Sequence, residues 1–267
     1  MELKKILIES LSKSKTINEF LMKLRIGKSI LKDKCYIKTK ELTKKELAKS
    51  PSRSEVINQM ISLTKAENYL EIGVRNPKSN FAKINCKNKY AVDPGMEEEI
   101  NTADFKVTSD VFFELLEQNK LGRINNNIKF DLIFIDGLHI SNQVEKDIVN
   151  SLKYLKEDGF IVLHDCNPPT EYHQREDYNY KNSPASTLWN GTTWKAFYKF
   201  RFNQDIQSIC FDCDWGVGVL TKQNRIGFNN LQGKNENEFY EFDLLDKNRK
   251  AFLNLQSFNE WKELVRN

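Results

Sequence analysis

No stretch of this 267-residue sequence approaches the roughly 20 consecutive apolar residues that a membrane-spanning helix needs. The first apolar run stops at Glu9, no secretory signal is visible, and a cytoplasmic protein is expected. Cysteine is scarce and odd in number, at positions 35, 86, 166, 210 and 213. Without a signal, such a set argues for reduced thiols. Cys210-x-x-Cys213 has no second pair and no histidine pair at zinc spacing, so it reads as packing. Internal repeats are missing. Residues 1–50 are rich in lysine, as in KSILKDKCYIKTK and LTKKELAK, while the remainder is slightly acidic. No aromatics interleave these lysines as in a single-strand binder. They read first as solvated surface, with nucleic acid or an anionic membrane as the alternative.

What is present is a globular composition, 39% hydrophobic and 29% charged, which is enough for a sizeable core. Residues 3–13 and 17–31 are helix-patterned, with Ile17, Phe20, Leu21 and Leu24 on one face. Ser52 and Glu55 have capping-box spacing ahead of Val56, Met60 and Ile61. Strand-like and helix-like runs then alternate. The strands are NYLEI (68–72), KYAVD (89–93), FKVTS (105–109), KFDLIFID (129–136) and FIVLHD (160–165). Helices are expected at PKSNFAKI, DVFFELLEQ, SNQVEKDIVNSLKYLK (Ser141 as N-cap) and TTWKAFYKFRF. The fourth and fifth strands are near-continuous apolar runs, as a parallel sheet covered on both faces requires. DIQSICF and GVGVLTK are joined too tightly to be parallel. The expectation is a doubly wound α/β fold with a mostly parallel seven-stranded sheet and an antiparallel last strand. Its parts are a basic helical appendage (1–52), the α/β domain (53–222) and an extension with a terminal helix capped by Ser257 (223–267).

Ligands of open α/β sheets bind beyond the carboxyl ends of the strands. Those ends carry Glu71-Ile72-Gly73-Val74-Arg75, Asp93-Pro94, Ser109-Asp110, Asp136-Gly137-Leu138-His139 and His164-Asp165-Cys166-Asn167. Carboxylates gathered on one edge need hydroxyl, amine or metal partners. Asp110 could instead cap the following helix, Asp93-Pro94 could be a turn, and His164 reads as a satisfied, half-buried histidine. The long polar segment 167–190 leaves directly over this edge with Tyr172, His173, Tyr178 and Tyr180. It is either an acceptor-binding lid or a surface loop.

YLEIGVRNPKSNF, YAVDP, FDLIFIDGLH and GFIVLHDCNPP, in this order, resemble the successive motifs of class I S-adenosylmethionine-dependent methyltransferases, over about residues 66–221. The flavour is that of the small-molecule, sugar or polysaccharide-biosynthesis group. The resemblance implies methyl transfer to a hydroxyl of a small molecule. It implies cofactor contacts at Glu71, Gly73, Asp93, Ser109 and Asp110. In the catechol-methylating branch a metal-binding aspartate ends strand four, another ends strand five, and a base follows the first by three residues. That implies Asp136 and Asp165 as ligands for Mg²⁺, and His139, with a near-neutral pKa, as catalytic base beside Asp136. The branch carries an asparagine after the second aspartate where this chain has Cys166; Asn167 or His164 stands nearby as a substitute. Arg75 and Pro77 replace later glycines of the first loop, which argues against a pyrophosphate cradle and keeps a non-catalytic binding module open. A nucleic-acid methyltransferase is disfavoured because Asn167-Pro168-Pro169-Thr170 lacks the aromatic residue that stacks on a target base. Homo-oligomerisation is left open.

Overall fold

The computed structural model describes residues 15–97 and 100–265. Seven strands form one sheet: β1 (Asn68–Ile72), β2 (Asn88–Val92), β3 (Phe130–Ile135), β4 (Leu155–Leu163), β5 (Gln207–Phe211), β6 (Val217–Thr221) and β7 (Leu255–Gln256). Their order is β2-β1-β3-β4-β6-β5-β7, and β6 alone runs against its neighbours. The sheet is thus mostly parallel, with the second strand of the late hairpin inserted antiparallel between β4 and β5.

Both faces are covered because the central strands are apolar on both sides. Ile133 and Ile135 of β3 face a cluster with Phe112 and Phe113 of α4 (Ser109–Glu117), Val144 and Ile148 of α5 (Ser141–Tyr154) and Trp194 and Phe197 of α6 (Thr193–Phe200). Leu132 and Phe134 face Val56, Ile57 and Met60 of α3 (Arg53–Thr64) and Trp261 of α8 (Phe258–Leu264). This is the two-sided burial that continuous apolar strands demand.

Several local expectations are corrected. The third strand shrinks to one bridge, Val92 with Phe105, because Thr108 turns the chain into α4 by accepting the Val111 N–H. Ser109 therefore opens a helix instead of ending a strand. The sheet regains a seventh member from the C-terminal extension, where α7 (Phe242–Leu253) leads into β7 beside β5. The helix expected at PKSNFAKI is only a 3₁₀ turn, Phe81–Lys83, since Asn80 is drawn inward to Glu71 and Ser54. Ser141 does not cap α5; Ile140 holds the cap position, and Thr192 Oγ1 accepts the Ser141 N–H from outside the helix. Ser52–Glu55 and Ser257 do cap α3 and α8.

The helix expected at 3–13 lies outside the described residues. The next, α1 (Lys15–Lys32), buries none of its residues, and Phe20 is 60% exposed. Of the apolar face anticipated there, Phe20, Leu21 and Leu24 are exposed and Ile17 is half-buried. By contrast α2 (Lys34–Leu47) docks through polar side chains. Thr43 meets His173, Glu46 accepts the Trp215 N–H, and Lys49, just beyond the helix, pairs with Asp212. No helix among the described residues is long and apolar enough to cross a membrane.

Candidate active site

The register brings three strand ends level. Ile72 pairs with Ile135, and Ile135 with Leu163. The ladder then continues one step: Asp136 N–H donates to Ile72 O at 2.9 Å and His164 N–H to Ile135 O at 3.2 Å. Between β1 and β3 the strand order reverses, which is where open α/β sheets bind ligands. A cleft of about 740 Å³ opens there, and Gly73, Asp93, Ser109, Asp136, His139, His164, Asp165 and Trp189 are among the residues on its wall.

Gly73 (φ +86°) lets the first loop cross the end of β3; a Cβ there would collide with the Asp136 carbonyl oxygen. Gly73→Ala is expected to cost about 1–3 kcal/mol from the left-handed backbone and the clash. A thermal melt measures this; an unchanged midpoint would contradict the close crossing. The later glycines are replaced by Arg75 (φ +43°) and an Asn76 turn accepting the Lys78 N–H. Asp93 organises the same loop, accepting the N–H of Arg75 at 2.7 Å and of Gly95 at 2.6 Å. A carboxylate offers about four acceptor sites, so it retains capacity for two ligand hydroxyls.

Ser109 and Asp110 reach the cleft wall at the start of α4 and are tied to α5 by Gln143, whose Nε2 lies 3.2 Å from Ser109 Oγ and 3.0 Å from Asp110 Oδ1. Glu71 differs from the expectation. It is 1% exposed, is not on the cleft wall, and is held by Tyr69 Oη at 2.5 Å and Asn80 Nδ2 at 2.9 Å. Burial, opposed by those two hydrogen bonds, pushes its carboxyl up to about 8, so at neutral pH it is mostly a neutral acid beneath the floor.

At the centre Asp136, His139 and Asp165 each offer a ligand atom within 4.8 Å of the others. His139 Nε2 is 3.3 Å from Asp136 Oδ1, and His139 Nδ1 is 3.0 Å from Asp165 Oδ2. That Nδ1 is buried and lacks the alignment for a hydrogen bond. Burial alone would disfavour a charged ring, but the Asp165 and Asp136 carboxylates outweigh it and lift His139 to about 10. The near-neutral pKa expected from its residue type is thereby corrected upward. Asp136 is buried too, yet His164, His139 and Arg53 hold it well below the usual carboxylate range.

Sequence reasoning missed several participants. Arg53 opens α3 and points back into the site, its Nε 3.6 Å from Asp136 Oδ2. Asp214, in the β5–β6 turn, accepts the Arg53 N–H at 2.7 Å and faces His164 Nε2 at 3.3 Å. Only the capping box hinted that Arg53 begins a helix, and nothing local marked Asp214. Trp189 stacks on the His139 ring, centroids 5.0 Å apart and planes 15° apart, with Tyr178 packed beyond it. The 167–190 segment is therefore folded over the site. Arg175 holds it by donating to the carbonyls of Tyr172, Ser186 and Leu188. Tyr178 lines the cleft, whereas Tyr172, Tyr180 and His173 do not.

His173 is fully buried between Thr170 and Thr43. Burial, reinforced by Arg175, lowers it to about 4. An unfolded histidine protonates near 6.5, so the unfolded chain binds the proton first. Its contribution to stability is present above about pH 6.5 and is lost as the pH falls toward 4. The unfolding free energy from urea melts should fall across that window by up to roughly 3 kcal/mol, and His173→Gln should flatten the fall. An equal slope in both proteins would exclude His173 as the cause.

Residues 66–166 match the family model described as a methyltransferase domain. That match spans 101 of the chain's 267 residues. No curated protein sequence matches the chain. Solved structures similar to it include an O-methyltransferase from Bacillus cereus in complex with SAH, at 14% identity over 71% of this chain and 90% of that one, TM-score 0.39. A candidate caffeoyl-CoA O-methyltransferase from Staphylococcus aureus is 16% identical over 77% and 98%, TM-score 0.42. An SAH-bound methyltransferase from Podospora anserina is 16% identical over 76% and 96%, TM-score 0.41. Values this low leave the function to be argued from this chain's own residues.

Proposed function

We propose that this protein transfers a methyl group from S-adenosylmethionine to a hydroxyl of a small molecule, with a divalent cation held by Asp136, His139 and Asp165. The observation that carries this reading is the convergence of two carboxylates and an imidazole at the carboxyl edge, beside the cleft that Gly73 and Asp93 shape. The donor set fits a cation: both carboxylates are charged, and the imidazole between them has a buried nitrogen without an aligned hydrogen bond. When bound, the cation would act as a Lewis acid, easing loss of the acceptor's hydroxyl proton.

The chain's own residues do the positioning. Asp93 takes the ribose hydroxyls, and Ser109 and Asp110 take the adenine side. Gly73 and Gly137 keep the floor free of side chains, so that the donor can lie against backbone. Trp189 and Tyr178 roof the acceptor side and exclude water; their faces suit a sugar or phenolic ring. Holding donor and acceptor in line would supply much of the rate gain. His139 would share the cation with Asp136 and Asp165, which orient its ring, and Trp189 clamps it from above.

The test is incubation with methyl-labelled S-adenosylmethionine and a panel of sugars, nucleotide sugars and phenols, with and without chelator. Label in an O-methyl product, reduced by chelator and restored by a divalent cation, is expected. Cofactor binding with no labelled product from any acceptor would favour the binding-module reading that the glycine-poor first loop keeps open.

A further inference from the structure

His164 was read from the sequence as a satisfied, half-buried histidine. Its Nδ1 instead lies 3.2 Å from Asp136 Oδ1 and 3.1 Å from Asp165 Oδ2, the two oxygens that also flank His139. Both oxygens thus face two imidazoles. The remaining atoms around them are accounted for. Asp165 Oδ1 accepts from Asn190 Nδ2 at 2.7 Å, which leaves Oδ2 to the cluster. Asp165 itself is left-handed (φ +61°), an uncommon backbone for a non-glycine residue and one that occurs at ligand sites.

The far side of the His164 ring is equally specific. Nε2 faces Asp214 Oδ1 at 3.3 Å and Arg53 Nη1 at 3.1 Å. The neutral ring, the form that can bind a cation, has two placements for its one proton. Either Nε2–H donates to Asp214 and Nδ1 presents a lone pair between Asp136 and Asp165, or Nδ1–H points between them and Nε2 accepts from Arg53. A cation between the two aspartates selects the first. An imidazole with one nitrogen on a metal and the other donating to a carboxylate is the usual second-layer arrangement of metal-bound histidine.

The other residues beside Asp165 are excluded as donors. Cys166 is fully buried, its Sγ nearest the carbonyls of His164 and Leu163, and burial pushes its thiol well up. Asn167 is spent on Asp212 and Arg249.

We infer that His164 is a fourth ligand, making the site two imidazoles and two carboxylates, and that it takes a first-row transition-metal ion such as Mn²⁺ or Co²⁺ in preference to Mg²⁺. Imidazole donors suit those ions, whereas Mg²⁺ favours oxygen and water. This inference rests on the proposed metal-assisted methyl transfer and revises the metal expected from the sequence.

The test is calorimetric titration of chelator-treated, desalted protein with CoCl₂, MnCl₂ and MgCl₂, requiring no acceptor. One Co²⁺ or Mn²⁺ per chain is expected, bound at least about 100-fold more tightly than Mg²⁺. His164→Ala should weaken Co²⁺ by more than about 10-fold and leave Mg²⁺ little changed. Asp214→Asn should weaken Co²⁺ by roughly 10–100-fold through the ring's orientation. His164→Gln is the second variant if alanine impairs folding, judged by a metal-free melt. Equal affinity for Co²⁺ and Mg²⁺, or unchanged Co²⁺ affinity in the His164 variant, overturns the inference but leaves an oxygen-dominated site and the proposed function standing. No divalent ion binding at all overturns both.

Discussion

Replacing His139 with alanine is expected to lower turnover by roughly 10²–10⁴-fold, the scale of losing help with the acceptor's proton, which the cation that His139 helps to hold would supply. S-adenosylhomocysteine affinity should stay within a few-fold. The two readouts separate because His139 touches Asp136, Asp165 and Trp189, while the residues assigned to the ribose and adenine sides lie on other strand ends. The variant removes a ring that anchors three partners at once. The carboxylates lose a cation or a ligand between them, and Trp189 loses its stacking surface. The measurement is a single-turnover rate beside a calorimetric affinity for S-adenosylhomocysteine. Turnover at the wild-type rate would remove His139 from the chemistry. A parallel loss of cofactor affinity would make its role structural.

Asp93→Ala is expected to weaken S-adenosylmethionine binding by about 1.5–3 kcal/mol, or about 10–150-fold, the scale of hydrogen bonds to a charged acceptor. The carboxylate has two tasks. It secures the Arg75 and Gly95 N–H groups, and it faces the cleft with spare acceptor capacity. Asp93→Asn separates them, since one amide oxygen can still hold a backbone N–H while its NH₂ cannot accept a ribose hydroxyl. Alanine and asparagine losing affinity equally would assign the effect to the ribose. Unchanged affinity in both folded variants would take Asp93 out of the cofactor site.

The central strands were legible because continuous apolar runs ending in Asp136 and in His164-Asp165 leave little alternative to buried parallel strands. The edge was not. Phe105 forms one bridge because Thr108 needs the following residues for α4, a contest that strand propensity does not register. The β7 strand is two residues long and exists only because Cys210 and Phe211 offer it a free edge. Within the site, residues at strand ends could be found by position along the sequence. Arg53 and Asp214 could not, because they arrive from 111 residues before and 50 after His164 through tertiary contacts alone. The proton affinity of His139 was misjudged for a related reason. Residue type sets its starting value, but the two carboxylates that raise it meet only in the fold.

The most direct test of the central claim is a crystal structure of the complex with S-adenosylhomocysteine. The account predicts the ribose hydroxyls on Asp93, the adenine toward Ser109 and Asp110, and the sulfur turned to the cluster of Asp136, His139 and Asp165. A ligand bound elsewhere, or one in this cleft with its sulfur facing away from that cluster, would contradict it.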